Sequence, residues 1–431
     1  MTAIPALNYP IIGPPKLSPA PADGSVLLRR EIRDLQHNFP DQWTLYILGL
    51  QSFQQLDEKS DLSWYGIAGI HGRPYRPWGG VKGDNPDGWQ GYCTHSSILF
   101  APWHRPYLAL FEVSSKLPVI HFTLTTEQQY LYQIIQQIAA TFPTATKTRY
   151  QQAALTFRIP YWDWAAAPPA GDKYFPIVVG QPSIQVITPT SNGKLHSRWP
   201  STLRYPTNGS ATAKSQEQQA FDAMESQFDS YQMYTLKRGN GHMSAPDYAA
   251  FDPLFWLHHT NVDRQFAIWQ ALTPIAMRSI KSLPMETFSI TSGTQKQAQW
   301  KYLTVKQYQT SVLAAVQTLY GATTSEASTS TAPIKYREYI AIIRAPKHIL
   351  HQTYRVRIFL GDFNSDPATW ATEQATIGTF SSFGKDPQTT GCGKCIKDEA
   401  RSLMISGTVP LTPILLKLYQ NVISALSKPK M

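Results

Sequence analysis

Cysteine is nearly missing from this chain: Cys93, Cys392 and Cys395 are the only three in 431 residues, too few for a disulfide framework. Charge is sparse too, at 16% Asp, Glu, Lys and Arg, and no basic run exceeds two residues. The net charge of +10 is therefore spread over a solvated surface, with no nucleic-acid motif beside it, so no nucleic-acid partner is expected. No apolar stretch reaches the length of a membrane span, so no membrane partner is expected either. The segment Met1 to Pro10 lacks a basic stretch followed by an apolar one; no secretion signal is visible, and a cytoplasmic protein is expected. Internal repeats are absent as well, which removes repeat architectures.

What is present is ordinary globular material rich in rings. Hydrophobic residues make up 42% of the chain, with 12 Trp, 22 Tyr and 18 Phe, enough for a large core and for an aromatic pocket. Residues 126–141 carry Leu131, Ile134, Ile135 and Ile138 at helical spacing, and residues 25–37 do the same with Val26, Leu27, Ile32 and Leu35. Asp252 followed by Pro253 reads as a helix cap and first helical position, opening a helix that runs to about Ala271. A Ser/Thr/Ala/Gly stretch from Gly321 to Pro333 reads as a linker. Beyond it, Tyr339 to Arg344 and Tyr354 to Leu360 read as strands. The expectation is a mainly α domain over residues 1–330 and a smaller β-rich domain over residues 331–431.

Histidines supply the chemistry. His71-Gly72-Arg73-Pro74 is followed by Cys93-Thr94-His95 and then Trp103-His104-Arg105-Pro106-Tyr107. His95 and His104 would fall on opposite sides of one continuous helix, but Pro102 starts a new helix and leaves His95 in the turn before it. Three imidazoles with an open position suit zinc or copper. Further on stands Phe251-Asp252-Pro253-Leu254-Phe255-Trp256-Leu257-His258-His259-Thr260-Asn261-Val262-Asp263-Arg264.

Both stretches resemble the two copper-site signatures of the tyrosinase/catechol oxidase/haemocyanin family. The resemblance implies a four-helix-bundle metal domain, with His71, His95 and His104 as the ligands of a first site. It also implies a thioether between Cys93 and His95, and Asn261, Asp263 and Arg264 as supports of the second-site helix. A second pair of histidines belongs upstream of His259, and there the chain reads Met224 to Gln232, with Phe228 and Gln232 at those places. Glu225, Phe228, Asp229 and Gln232 share one helix face, and Glu225 matches the acid that tyrosinases use to hold a water near the metals. Residues from about 334 onward resemble the lid domain of fungal tyrosinases, which implies that Phe383 or Phe380 plugs the pocket and that Cys392 and Cys395 assist metal loading.

One intact and one erased site also resemble the fungal cyclopenases, and this makes zinc, with copper as the alternative cofactor, the expected metal. The expected reaction is then a non-oxidative lyase step on a small aromatic substrate, a spiro-epoxide benzodiazepinedione. Glu225 and Asp229 would move protons, while Phe228, Gln232, His259 and Phe383 line the substrate space. Two rivals stay open: a copper oxidase in which Gln232 and His259 still recruit a second ion, and a non-catalytic binding protein. The sequence is compatible with a homodimer.

Overall fold

A computed structural model describes residues 27–112 apart from 73–74, 76, 82–91 and 96–98, and residues 131–198 apart from 174 and 181–183. It further describes 243–272 apart from 244–245 and 247–248, and 339–419 apart from 368, 371–372, 374, 383–392, 413–414 and 417, with the short pieces 313–314 and 318. The chain divides into two compact units, residues 1–84 with 91–322, and residues 85–90 with 323–431. Glu225, Phe228, Asp229, Gln232 and Phe383 lie outside the described residues, as does the Gly321 to Pro333 stretch.

The first unit is helical. Its described elements are α1 (Ile32–Asn38), α2 (Pro40–Gln54), α3 (Trp64–Ala68), α4 (Phe100–Glu112), α5 (Leu131–Ala140), α6 (Thr144–Leu155) and α7 (Ile177–Gly180), then the hairpin of β1 (Ile184–Ile187) and β2 (Leu195–Arg198), then α8 (Pro253–Leu272). Helix α8 starts as the sequence predicts, with the Asp252 carboxylate accepting the Leu254 N–H at 3.0 Å. Leu131, Ile134 and Ile135 of α5 are buried, as their spacing requires. Helix α1 begins later than the periodicity of residues 25–37 predicts. Tyr161 accepts the Ile32 N–H at 2.8 Å and donates its own N–H to Arg30 at 2.9 Å, while the Glu31 side chain caps Arg33 N at 2.7 Å. These bonds hold residues 30–31 extended, so the helix starts at Ile32.

An aromatic knot joins α2, α3, α4 and α8. Phe111 of α4 stacks on Trp256 of α8 at 3.8 Å and 12°, and Trp64 of α3 meets both edge-on at 5.8 and 6.3 Å. Phe53 of α2 closes the group at 5.8 Å from Trp64. Contacts of this kind contribute about 0.5–1.5 kcal/mol each beyond their buried area. Among the described residues, no helix is long and apolar enough to cross a membrane.

Around this knot runs a buried ionic network. Arg29 binds Glu112, the last residue of α4, at 2.7 Å and Asp263 of α8 at 3.4 Å. Arg105 of α4 takes the other oxygen of Asp263, and Arg264 reaches Asp163 at 3.3 Å. The second oxygen of Glu112 accepts the Ile159 N–H at 2.8 Å. Burial lowers the pKa of Arg29, but the charges and hydrogen bonds of Glu112 and Asp263 outweigh it and raise the net value. Removing one partner of such a network strands the others without compensation. Asp263→Ala is expected to cost about 3–5 kcal/mol, read from chemical denaturation of the full chain; a loss under ~1 kcal/mol would show that the network does not brace the helices.

The second unit is β-rich. Strand β3 (Ile340–Pro346) pairs antiparallel with β6 (Met404–Pro410), and β4 (Tyr354–Phe359) with β5 (Thr376–Ser382). Helix α9 (Gly393–Ala400) precedes β6 and is anchored by the Lys347–Asp398 pair at 3.1 Å. The two strand pairs pack so closely that a Cβ on Gly378 would lie 2.0 Å from Val409 Cγ1, and one on Gly407 would lie 2.1 Å from Phe380 Cδ2. The Phe380 ring lies against Gly407 of β6. Cys395 is disulfide-bonded.

Candidate metal centre

Four donors converge in the helical unit. Ligand-capable atoms of His71, Cys93, His95 and His104 all lie within 4.8 Å of one another. Helix α3 ends at Ala68, and two successive i→i+3 bonds carry the backbone on to His71. Cys93 and His95 sit in residues 92–95, which have no helix or strand, and His104 rides on α4. The role assigned to Pro102 agrees with this placement: α4 begins at Phe100, and His95 lies before it.

Two of the rings are oriented by backbone. His71 Nδ1 donates to the Pro246 carbonyl at 2.7 Å, and His104 Nδ1 donates to the Phe100 carbonyl at 2.7 Å. A carbonyl only accepts, so each Nδ1 carries the proton and the neutral ring keeps its lone pair on Nε2. Cys93 is a thiol outside any disulfide; its Sγ lies 3.3 Å from His95 Nδ1, 3.7 Å from His95 Nε2 and 3.7 Å from His104 Nε2. A soft sulfur and three imidazoles are a donor set for copper or zinc and not for magnesium or calcium.

His259 lies outside this group of four but stacks on His104, with ring centroids 4.1 Å apart and planes 6° from parallel. Its neighbour His258 turns to Trp164 at 4.9 Å. Burial pulls the His104 pKa down to about 4 against a partial rise from the Phe100 carbonyl. Desolvation, then the charge of His104, brings His258 to about 3, and His259 falls well below the ordinary value for the same reasons. All three are neutral near pH 7, which is the state that binds a metal.

Several contributors escaped the sequence reading. Phe100 lies 4.6 Å from the His104 ring, Phe255 lies 4.2 Å from His259 and 4.6 Å from His71, and Trp103 lies 4.7 Å from His104. The spacing Phe100-x-x-x-His104 and Phe255-x-x-x-His259 carried the signal, since i and i+4 share a helix face. Pro246 gave none, because a backbone carbonyl has no side-chain signature. His348 is buried in the second unit, and His351 pairs with Glu399 at 2.8 Å; among the described residues the cluster holds only His71, Cys93, His95 and His104.

A helical unit with buried and half-buried histidines from two loops and two helices, walled by aromatic rings, defines a histidine-rich metalloprotein. Two family patterns match the chain: the common central domain of tyrosinase over residues 61–239 and 233–272, and the tyrosinase C-terminal domain over residues 338–431. The tyrosinase of Podospora anserina is 35% identical, covering 95% of this chain and 96% of that one. The Neurospora crassa tyrosinase is 32% identical, covering 95% of this chain and 87% of that one. A structure of recombinant mushroom tyrosinase superposes with a TM-score of 0.62 at 21% identity, over 95% of this chain and 87% of that one. The chain belongs to the tyrosinase family.

The alignment with the Podospora protein runs over 570 positions against 431 residues here, so that relative carries inserted segments which this chain lacks. The mainly α fold with a smaller β-rich C-terminal region stands. The expected zinc lyase does not. Relatives over nearly the whole chain are named tyrosinases, and a further relative is an Agaricus bisporus polyphenol oxidase; none of these is named a lyase. The cyclopenase reading rested on two positions, Phe228 and Gln232, and a short local difference weighs less than likeness over 95% of the chain.

The buried histidines set a pH dependence. The unfolded chain takes up protons below about pH 6.5, while folded His104 resists protonation until about pH 4. Its pKa is depressed on folding, so stability is full above the unfolded value and falls as pH drops through this window. The thermal midpoint of metal-free protein is expected to decline steadily from pH 7 to pH 4; a flat profile would contradict burial of neutral imidazoles.

Proposed function

We propose that this chain is a copper-dependent polyphenol oxidase acting on o-diphenols or o-aminophenols. The observation that carries the reading is the group of His71, His95 and His104 with His259 stacked on His104 at 4.1 Å. His71, His95 and His104 would hold one copper, and His259 with Gln232 would hold a second. Bound copper supplies the redox couples that pass electrons from the phenol to dioxygen. Two diphenols give up four electrons and four protons, and one dioxygen takes all of them to become two waters.

The protein's own part is to hold the imidazoles neutral and aimed, through the Pro246 and Phe100 carbonyls and through burial. Phe100, Phe255 and Trp103 pack against the His104 and His259 rings, and the partly exposed Phe100 and Trp103 would offer flat faces to an aromatic substrate. By its place in the sequence pattern, Glu225 would hold a water that accepts a substrate proton. Gln232 is a poorer copper ligand than histidine. The second copper is therefore the weaker, and it leaves first on dialysis.

Copper-loaded protein is expected to consume oxygen with a substituted catechol, and zinc-loaded protein is expected to be silent. His104→Ala should abolish uptake together with binding of the first copper, while His259→Ala should abolish uptake and keep the first copper. Absence of uptake at full copper loading would overturn the proposal. The proximity of Cys93 Sγ to the His95 ring, 3.3 Å from Nδ1, supports the family's thioether, whose formation would remove two hydrogens. After aerobic copper loading the peptides of Cys93 and His95 should appear cross-linked and about 2 Da lighter in mass spectrometry; unlinked peptides from active enzyme would show that the thioether is dispensable here.

A further inference from the structure

His95 is the donor with the least regular support, since residues 92–95 form neither helix nor strand. The residue that begins this segment is tied down firmly. The Tyr92 hydroxyl accepts the Trp78 N–H at 2.9 Å and donates to the Val81 carbonyl at 2.8 Å. Trp78 and Val81 face each other in an antiparallel bridge, and Gly79 and Gly80 between them have φ of 59° and 76°. Two successive positive φ angles make a tight I′-type turn, which glycine adopts without strain. The phenol of Tyr92 is seated across the open end of that turn.

The turn is fixed in its own right. The Trp78 indole N–H donates to the Asp61 carbonyl at 2.6 Å, and the Gly79 N–H donates to the Asp61 carboxylate at 3.1 Å. Asp61 stands three residues before α3, whose cap Ser63 accepts the Gly66 N–H at 3.0 Å. From the far end of α3 the chain passes directly to His71. One continuous set of bonds therefore joins the approach to His71, through Asp61, Trp78 and Tyr92, to Cys93 and His95.

We propose that Tyr92 is a positioning residue for Cys93 and His95: its hydroxyl, held in the Trp78–Val81 turn, sets the placement of His95 relative to His71. This rests on the copper-centre reading, but it concerns the protein before any metal arrives. Partners that orient a ligand without touching the metal commonly change metal affinity about 10- to 100-fold when removed. Tyr92→Phe keeps the ring and deletes the hydroxyl's bonds to Trp78 and Val81.

The test uses full-length, metal-free protein and two readouts. In the first, Cys93 is alkylated with iodoacetamide and the modified peptide is followed by mass. In the second, zinc and copper affinities are measured by chelator competition. Tyr92→Phe is expected to alkylate several-fold faster at Cys93 and to bind either metal about 10- to 100-fold more weakly, with its thermal midpoint close to that of the parent. Equal alkylation rates and equal affinities would overturn the proposal. Should Tyr92→Phe fail to fold, Asp61→Ala removes the acceptor of the Gly79 N–H while keeping the carbonyl bond to Trp78. It is expected to shift both readouts in the same direction by less, and parental values for both would overturn the proposal equally. A parent chain that binds neither metal sinks the copper-centre reading instead, and the alkylation comparison still decides the role of Tyr92.

Discussion

The carboxylate of Asp263 is the constraint on which the metal centre depends. It lies on α8 one turn past His259, and it holds Arg105, the residue after His104 on α4. The same carboxylate reaches Arg29, which carries on to Glu112 at the end of α4. Two helices that must present His104 and His259 face to face are thus locked by charge at the turn beside those histidines. The aromatic knot of Phe111 and Trp256 locks them again farther along. Hydrophobic packing alone tolerates small slides of one helix on another, whereas a buried carboxylate shared by two guanidinium groups does not, because any slide strands a charge.

Within that frame the imidazoles are prepared for metal by two simple means. Backbone carbonyls at Pro246 and Phe100 choose the tautomer of His71 and His104, and burial keeps His104, His258 and His259 uncharged. Both arrangements raise the cost of the metal-free fold in acid and lower the cost of binding near neutrality. Phe100, Phe255 and Trp103 pack against these rings. Structure and titration thereby follow from one feature, a histidine cluster between charge-locked helices.

Much of this was legible in the sequence. Asp252-Pro253 marked the start of α8, the spacing of Leu131, Ile134 and Ile135 marked α5, and Pro102 separated His95 from His104. The gathering of His71, His95 and His104 followed from motifs rather than periodicity, since two of the three come from irregular backbone. The late start of α1 was not legible, because a nonlocal pairing with Tyr161 competes with the local helical pattern of residues 25–37. The Arg29–Glu112–Asp263 network was hidden for the same reason, as its members lie as far as 234 residues apart. The reaction class was misjudged by weighing Phe228 and Gln232 above the remainder of the chain, where likeness to tyrosinases extends over 95% of the residues.

Anomalous diffraction at the copper edge, from crystals soaked in copper, addresses the metal centre most directly. A strong peak within bonding distance of His71, His95 and His104, with a weaker second peak beside His259, is the predicted result. Ordered copper elsewhere in the chain with none at this cluster would contradict it.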